Sequence, residues 1–279
     1  VRFTEPNEYR ILRMAREARR IARTDIAART GLSKTTVSEI TARFVDAGFL
    51  VPVGRGPSGS RGGRKREMLE FNPDAAYVIG VDIERTHTDV AVTNLDATIL
   101  RRTSFTYPAG SSPRRVLAKL VAAVRMLGTD PNDYQQKAIG IGVRLPGVID
   151  SEQGVVNVAD TLKGWEGYAL AEHLENEFHL PVFVENDVKA RTLGELIFGS
   201  GRNVRDAAYL WLGDGIGAGL VIDGRLHHGF TRSAGEIGYN DVTQPLRGGS
   251  RLPLLFRGQD DIGELLSLSN ISRSLGLKP

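Results

Sequence analysis

Apolar positions recur at helical spacing from the start of the chain. Ile11, Leu12, Ala15 and Ala18 fall on one stripe of the segment Asn7–Arg19, with Arg10, Arg13, Arg16 and Arg20 largely outside it. That spacing predicts an amphipathic helix. A shorter helix is predicted over Asp25–Thr30, capped by Thr24 or Asp25, with Ile26 and Ala27 inward and Gly31 as its stop. Then comes LSKTTVSEITARFVDAGFL, where Val37, Ile40, Phe44 and Val45 form one face. Ser33 is a suitable N-cap, and Thr36 three residues on gives weak further support. Two short helices around a tight glycine-containing turn make the pattern of a helix-turn-helix.

The period then changes to that of strands. Val51 and Val53 start one strand, and Met68, Leu69 and Phe71 end a returning one, with a tip rich in Gly and Arg between them. This predicts a β-wing; a flexible Gly/Ser linker is the rival reading. Apolar strands directly after a helix-turn-helix favour the wing. Further strands are predicted at Tyr77–Asp82, Asp89–Thr93 and Ala97–Thr103, the last two joined by the turn Asn94–Asp96 as antiparallel neighbours. Others lie at Lys137–Val143 and Val182–Val184, and Ala207–Leu212 pairs with Gly219–Asp223 around LGDGIG. Helices are expected at Pro113–Leu127, Tyr168–Phe178 and Asp187–Phe198. The fold class is therefore α/β, divided into an N-terminal module over 1–72 and a body over 73–279.

Charge sharpens the division. Net charge is +3, but residues 1–70 hold 15 Lys/Arg against 8 Asp/Glu, so the remainder is net negative. A basic end on an acidic body points to a polyanion as its partner. Double-stranded DNA fits best, because the second short helix is slender and polar outside, as entry to a major groove requires. Thr35, Thr36 and Ser38 then meet base edges or phosphates, Lys34 meets phosphate, and Ser33 sits at the helix start. Arg61, Arg64, Lys65 and Arg66 on the wing reach the minor groove or the backbone.

Cysteine is absent, which excludes disulfides and thiolate metal sites. No apolar run is long enough to span a bilayer, and VRFTEPNEYR has no secretion-signal core. The expectation is a cytoplasmic, nucleoid-associated protein with no membrane partner and no resident metal.

Two segments of the body carry candidate chemistry. In VENDVKA, Glu185, Asn186 and Asp187 follow a strand and open a helix. Their side chains suit ligand hydroxyls, and equally suit simple helix capping. In SAGEIGY, Glu236 stands between glycines, where a ligand can approach the backbone; ordinary turn chemistry is nearly as good a reading. The five histidines show no metal-ligand spacing, His227 and His228 included.

Taken in order, TDIAARTGLSKTTVSEITARFVDAGFL, RGGRKREMLEFN, YVIGVDIERTHTDVAVTNL, GIGVRLPGVIDSEQGVV, LKGWEGYAL, PVFVENDVKARTLGELIFG, AYLWLGDGIGAGLVIDGRLHHG and SAGEIGY resemble the ROK family (repressors, open reading frames and sugar kinases). The likeness is strongest to its repressors that respond to xylose or N-acetylglucosamine. It implies an actin-like (ribonuclease H-like) body of two lobes around a ligand cleft, behind a winged helix-turn-helix. It implies a small carbohydrate effector held by Asn186, Asp187 and Glu236, with Asp160 near the family's sugar-binding asparagine and Tyr239 in place of a histidine. It also implies a homodimer. Asp187 matches the general base of the family's kinases, so a sugar kinase with an added DNA-binding module is the alternative function.

Three departures favour a regulator without cofactor. The kinases' Asp-x-Gly-Gly-Thr phosphate loop reads Asp82-Ile83-Glu84-Arg85-Thr86, so side chains replace two glycines and Glu84 opposes a polyanion. Asp214 stands where the kinases carry threonine or a similar residue. The family's zinc cysteines are missing. About 40 residues follow Tyr239, fewer than the family's second lobe uses. A lobe that short is expected to leave core surface for a partner to cover.

Overall fold

In a computed structural model, residues 6–55, 66–127, 137–213 and 215–239 are described. By internal contacts the chain forms two compact units: Val1–Gly80 with Ala91–Arg102 and Val124–Ile141, and Val81–Val90 with Thr103–Ala123 and Gly142–Pro279.

The first unit opens with helix α1 (Pro6–Ala18), strand β1 (Arg20–Ala22), helix α2 (Arg23–Thr30), helix α3 (Lys34–Asp46) and strands β2 (Leu50–Arg55) and β3 (Glu67–Phe71). The three strands form one antiparallel sheet in the order β1-β3-β2. The apolar stripe of α1 supplies buried Ile11 and Ala15; α2 adds Ile26; α3 adds Val37, Ile40 and Phe44. Leu50, Leu69 and Phe71 close this core from the sheet, and Phe44 meets Phe49 edge-on at 6.4 Å between ring centroids. Gly31 ends α2 in the left-handed region at φ 74°. The expected cap of α2 is not what forms. The helix starts two residues earlier, behind Ala22, with no side-chain cap, and Asp25 instead accepts from Arg66 at 2.6 Å.

The body is built on a five-stranded sheet in the order β10-β7-β4-β5-β6, made of β4 (Tyr77–Ile83), β5 (His87–Asn94), β6 (Ile99–Thr106), β7 (Ala138–Leu145) and β10 (Val182–Asn186). The short turn after Asn94 leaves β5 and β6 adjacent, and a four-residue connection between neighbouring strands makes them antiparallel. Helix α4 (Pro113–Leu127) has the predicted bounds. A small hairpin, β8 (Val148–Asp150) and β9 (Val155–Val158), precedes helix α5 (Leu170–Phe178). Helix α6 (Asp187–Ile197) follows β10 directly. It lies against the antiparallel sheet β11 (Ala207–Leu212), β12 (Ile216–Ile222) and β13 (Arg225–His227). That approach needs Gly219, since a Cβ there would overlap the Thr192 hydroxyl of α6. The wing tip, Asp214, Asp241–Ser250 and the C-terminal segment lie outside the described residues.

Candidate DNA-binding face and effector site

Helix α3 is positioned from below and open above. Ser33 caps it, its Oγ accepting from the Thr36 amide at 3.0 Å and lying 2.8 Å from the Thr36 hydroxyl. Thr36 is half-buried, while Ser33, Lys34, Thr35, Ser38 and Glu39 are exposed. Beneath them Thr41 is fully buried; its hydroxyl donates to the Val37 carbonyl and accepts from Arg23 Nε, each at 2.8 Å. Arg23 also pairs with Glu67 on β3, and Arg43 pairs with Glu8 of α1 at 2.6 Å. The polar outer face is therefore carried on a helix tied by side-chain bonds to both α1 and α2. Arg66, expected with the wing-tip cations, is engaged with Asp25 at the base of the wing. Arg61, Arg64 and Lys65 lie outside the described residues.

In the body, the junction of β10 and α6 gathers most of the expected effector residues. Asn186 is only 3% exposed. Its Oδ1 accepts from the amides of Val188 and Lys189, both at 3.0 Å, and its Nδ2 donates to the Gly147 carbonyl at 2.9 Å. Of the two readings open in the sequence, Asn186 takes the cap, with one N–H beyond these bonds. Gly147 sits at φ 119°, and a Cβ there would strike the Val158 carbonyl oxygen, so the loop before β8 requires glycine. Asp187 is half-buried at the first position of α6. Glu236 lies near it: burial pushes the Glu236 carboxyl up, Lys189 opposes that, and the Asp187 charge adds to it. Lys189 is almost wholly buried, its Nζ donating to the Arg232 carbonyl at 2.8 Å and lying 3.3 Å from Glu236 Oε1. Tyr239 ends a short 3-10 turn, Ile237–Tyr239, and its side chain lies outside the described residues.

The loop expected to hold phosphate in a kinase is occupied by side-chain ion pairs. Asp82 accepts from Arg144, and Glu84 lies 3.8 Å from Arg144 and 3.6 Å from Arg191. The Arg191 guanidinium stacks 3.6 Å above the Trp211 ring centre. Burial raises the carboxyls of both Asp82 and Glu84; the arginines oppose it, and Asp82 pushes Glu84 further. Asp82 Oδ1, Arg144 Nη1 and Arg191 Nε are buried without a hydrogen-bond partner.

Asp160 stands elsewhere. It is exposed in a hollow of about 470 Å³ lined also by Arg85, Ala109, Gly110, Thr161 and Lys163; Asn186, Asp187 and Glu236 do not line it. Sequence reasoning overlooked Arg144, Lys189 and Arg191, and it named His228 only in setting aside a metal site; His228 Nε2 is 2.7 Å from Glu185 Oε2. A signal was present for the first two: Arg144 interrupts an apolar strand, and Lys189 follows buried Val188 on the inner face of α6. Among the described residues no group of three His, Asp or Glu side chains could hold a metal ion, and no helix is long and apolar enough to cross a membrane.

Residues 78–251 match the ROK family, and residues 5–51 match a winged helix-turn-helix DNA-binding family. A xylose repressor of Caldicellulosiruptor bescii is 30% identical over 236 residues, 85% of this chain and 58% of that protein. The chain thus spans less than two thirds of this relative. The crystal structure of a ROK family transcriptional regulator, a homologue of the Escherichia coli MLC protein, superposes with a TM-score of 0.74. It covers 97% of this chain and 67% of its own, at 22% identity, and so supports the fold alone. A ROK family glucokinase from Streptomyces griseus, solved with glucose and AMPPNP, aligns over 60% of this chain and 51% of its own, with a TM-score of 0.52 and 29% identity.

Proposed function

The chain belongs to the ROK family, and from that premise we propose that it is a sequence-specific transcriptional regulator, a repressor controlled by a small sugar. The observation that carries this reading is the face of α3. Ser33, Lys34, Thr35 and Ser38 stand exposed on a helix whose opposite side is buried in a complete apolar core. Such a helix fits a major groove, where hydroxyls and a lysine reach bases and phosphates. A homodimer in the cytoplasm would set two such helices on successive major grooves of a palindromic duplex.

The xylose repressor's name supports a carbohydrate effector, and Asp187, Glu236 and the spare N–H of Asn186 are the groups to hold its hydroxyls. To switch DNA binding, the sugar must favour one state of the protein over the other. A hundredfold change in DNA affinity requires about 2.7 kcal/mol of coupling. Selecting duplexes from a random pool with the purified chain tests the DNA reading. A defined sequence should emerge, with an affinity that falls steeply as salt rises. Lys34→Ala should weaken binding and flatten that salt dependence by about one unit of slope. An unselected pool, or a slope unchanged by the substitution, would count against it.

Kinase turnover forms no part of this proposal. Glu84 puts a carboxylate where a nucleotide's phosphates would need donors, and the nearby Arg144 and Arg191 are already paired to Asp82 and Glu84. An ADP-release assay across pentoses and hexoses should give no sugar-dependent rate. Turnover abolished by Asp187→Asn would restore the kinase reading.

A further inference from the structure

One end of the body's sheet reaches the core of the winged helix-turn-helix. Residues 94–98 join β5 to β6, and this turn belongs to the first compact unit together with α1, α2 and α3. Leu95 packs against the apolar core of those helices. Beside it the Asp96 carboxylate, only 15% exposed, pairs with Arg19 and lies 3.6 Å from Arg16 Nε. Arg16 is in the last turn of α1, and Arg19 follows the helix directly. The turn is stiff. Asn94 is buried; its Oδ1 accepts from the amides of Asp96 at 3.1 Å and Thr98 at 3.0 Å, and its Nδ2 donates to Asp74 at 2.9 Å. The Leu95 amide donates to the Pro73 carbonyl at 2.9 Å, which fastens the turn to the chain leaving β3.

Helix α1 carries that anchor to α3. Buried Glu8 in its first turn pairs with Arg43 of α3 at 2.6 Å, and its apolar stripe fills the same core as Val37, Ile40 and Phe44. A single helix of 13 residues is thus held by a body carboxylate at one end and by an arginine of α3 at the other. At their opposite ends β5 and β6 pass into the second unit. There Tyr107, just after β6, holds its hydroxyl 2.6 Å from the Glu84 carbonyl and 2.8 Å from that of His87. Glu84 in turn feels the Asp187 charge. The same two strands lead from the neighbourhood of Asp187 to the end of α1.

We infer that Asp96 is a positioning residue that couples the body to α3: effector binding displaces β5 and β6, Asp96 moves α1 through Arg16 and Arg19, and α1 resets α3. The inference rests on the sensor reading above and supplies its route. Arg19 is the joint between α1 and β1, with a left-handed backbone at φ 62° and a carbonyl that accepts from the Phe71 amide at 3.0 Å. A partly exposed ion pair contributes little to stability, so this contact can be remade between two states of the protein at small cost.

The test compares the full chain with Asp96→Asn, Arg19→Gln and Glu70→Gln. Asparagine keeps the shape of the turn, whose amide bonds run through Asn94, and removes the charge. Glu70 pairs with Arg20 at 2.8 Å inside the sheet of the N-terminal module, away from the turn, and serves as the control. Each protein is titrated into a duplex selected with the parent, at fixed salt, with and without saturating xylose, glucose or N-acetylglucosamine. Calorimetry without DNA measures sugar binding separately. The parent's dissociation constant for the duplex should shift about tenfold with the sugar that binds. In Asp96→Asn the shift should fall below about twofold, with sugar affinity and melting temperature close to the parent's. Linkage demands the converse, so the duplex should no longer alter sugar affinity in that variant. Arg19→Gln should reduce the shift, and adding it to Asp96→Asn should change nothing further. Because the Arg19 side chain is 64% exposed, that variant carries the same test should Asp96→Asn fail to fold. Glu70→Gln should keep the full shift. A full shift in Asp96→Asn and Arg19→Gln, or one lost equally in Glu70→Gln, overturns the inference and leaves the sensor reading standing. A sugar bound by the parent without effect on its duplex affinity, or no binding of any of the three, overturns both.

Discussion

Glu84 shows how one residue can set the character of a site. It lies beside Asp82 in a place partly screened from water, facing two arginines at distances too long for good hydrogen bonds. Its carboxyl is raised, first by burial and then by the Asp82 charge. A group whose folded pKa exceeds its unfolded one favours the folded state when protonated. That contribution is complete below the ordinary carboxylate range and is lost as pH rises through the raised value. Glu84→Gln mimics the protonated form. Its melting temperature should exceed the parent's at neutral and mildly alkaline pH, and the two should converge as pH falls through the carboxylate range, a scan from about pH 8 to pH 4. A variant that melts below the parent at neutral pH, the gap closing as pH falls, would mean that the arginines, not burial, govern Glu84. The sequence disclosed Glu84 as an oddity within DIERT. It did not disclose the partners, because Arg144 and Arg191 are distant in the chain and meet it only through β7 and α6.

Elements followed from the sequence where their period was long and their ends were marked. Helix α4 emerged with its predicted bounds, and α3 with its Ser33 cap, because the apolar spacing and the capping residue agree. Strands of the central sheet were legible from their apolar pattern, each running one to three residues past its predicted C-terminal end, while β6 and β7 start later than predicted. Three-residue strands were not. Ile21 and Ala22 of β1 fall between the two predicted helices in no predicted element, yet they pair with Leu69 and Met68 in the sheet. The β8–β9 hairpin was equally hidden, since its register depends on Gly147 rather than on any apolar pattern. That dependence can be measured. Gly147→Ala combines a forbidden backbone angle with overlap on Val158 and should cost upward of about 3 kcal/mol in urea unfolding. Gly164→Ala shares a positive φ but meets open space, and should cost about 1 kcal/mol. Equal costs would remove the claim that close approach, not backbone angle alone, fixes the hairpin.

At the scale of the whole molecule, the two-part plan was the most legible feature. Charge asymmetry, a helix-turn-helix pattern and ordered motifs over the body each pointed to it, and both family matches agree. The site inside the body was legible only as a list of residues. Asp187 and Glu236 do share a neighbourhood, but Asn186 spends its oxygen on the helix, and Asp160 stands in a different hollow. Those distinctions arise from burial and hydrogen bonding, which a linear pattern does not carry. The central claim joins the two parts: occupancy of the body alters the grip on DNA. It is tested most directly by titrating a selected duplex with the purified chain at fixed salt, with and without saturating effector. The account predicts a change in dissociation constant of about tenfold or more, removed when Asp187 is replaced by Ala. An effector that binds the body in calorimetry yet leaves the duplex affinity unchanged would contradict it.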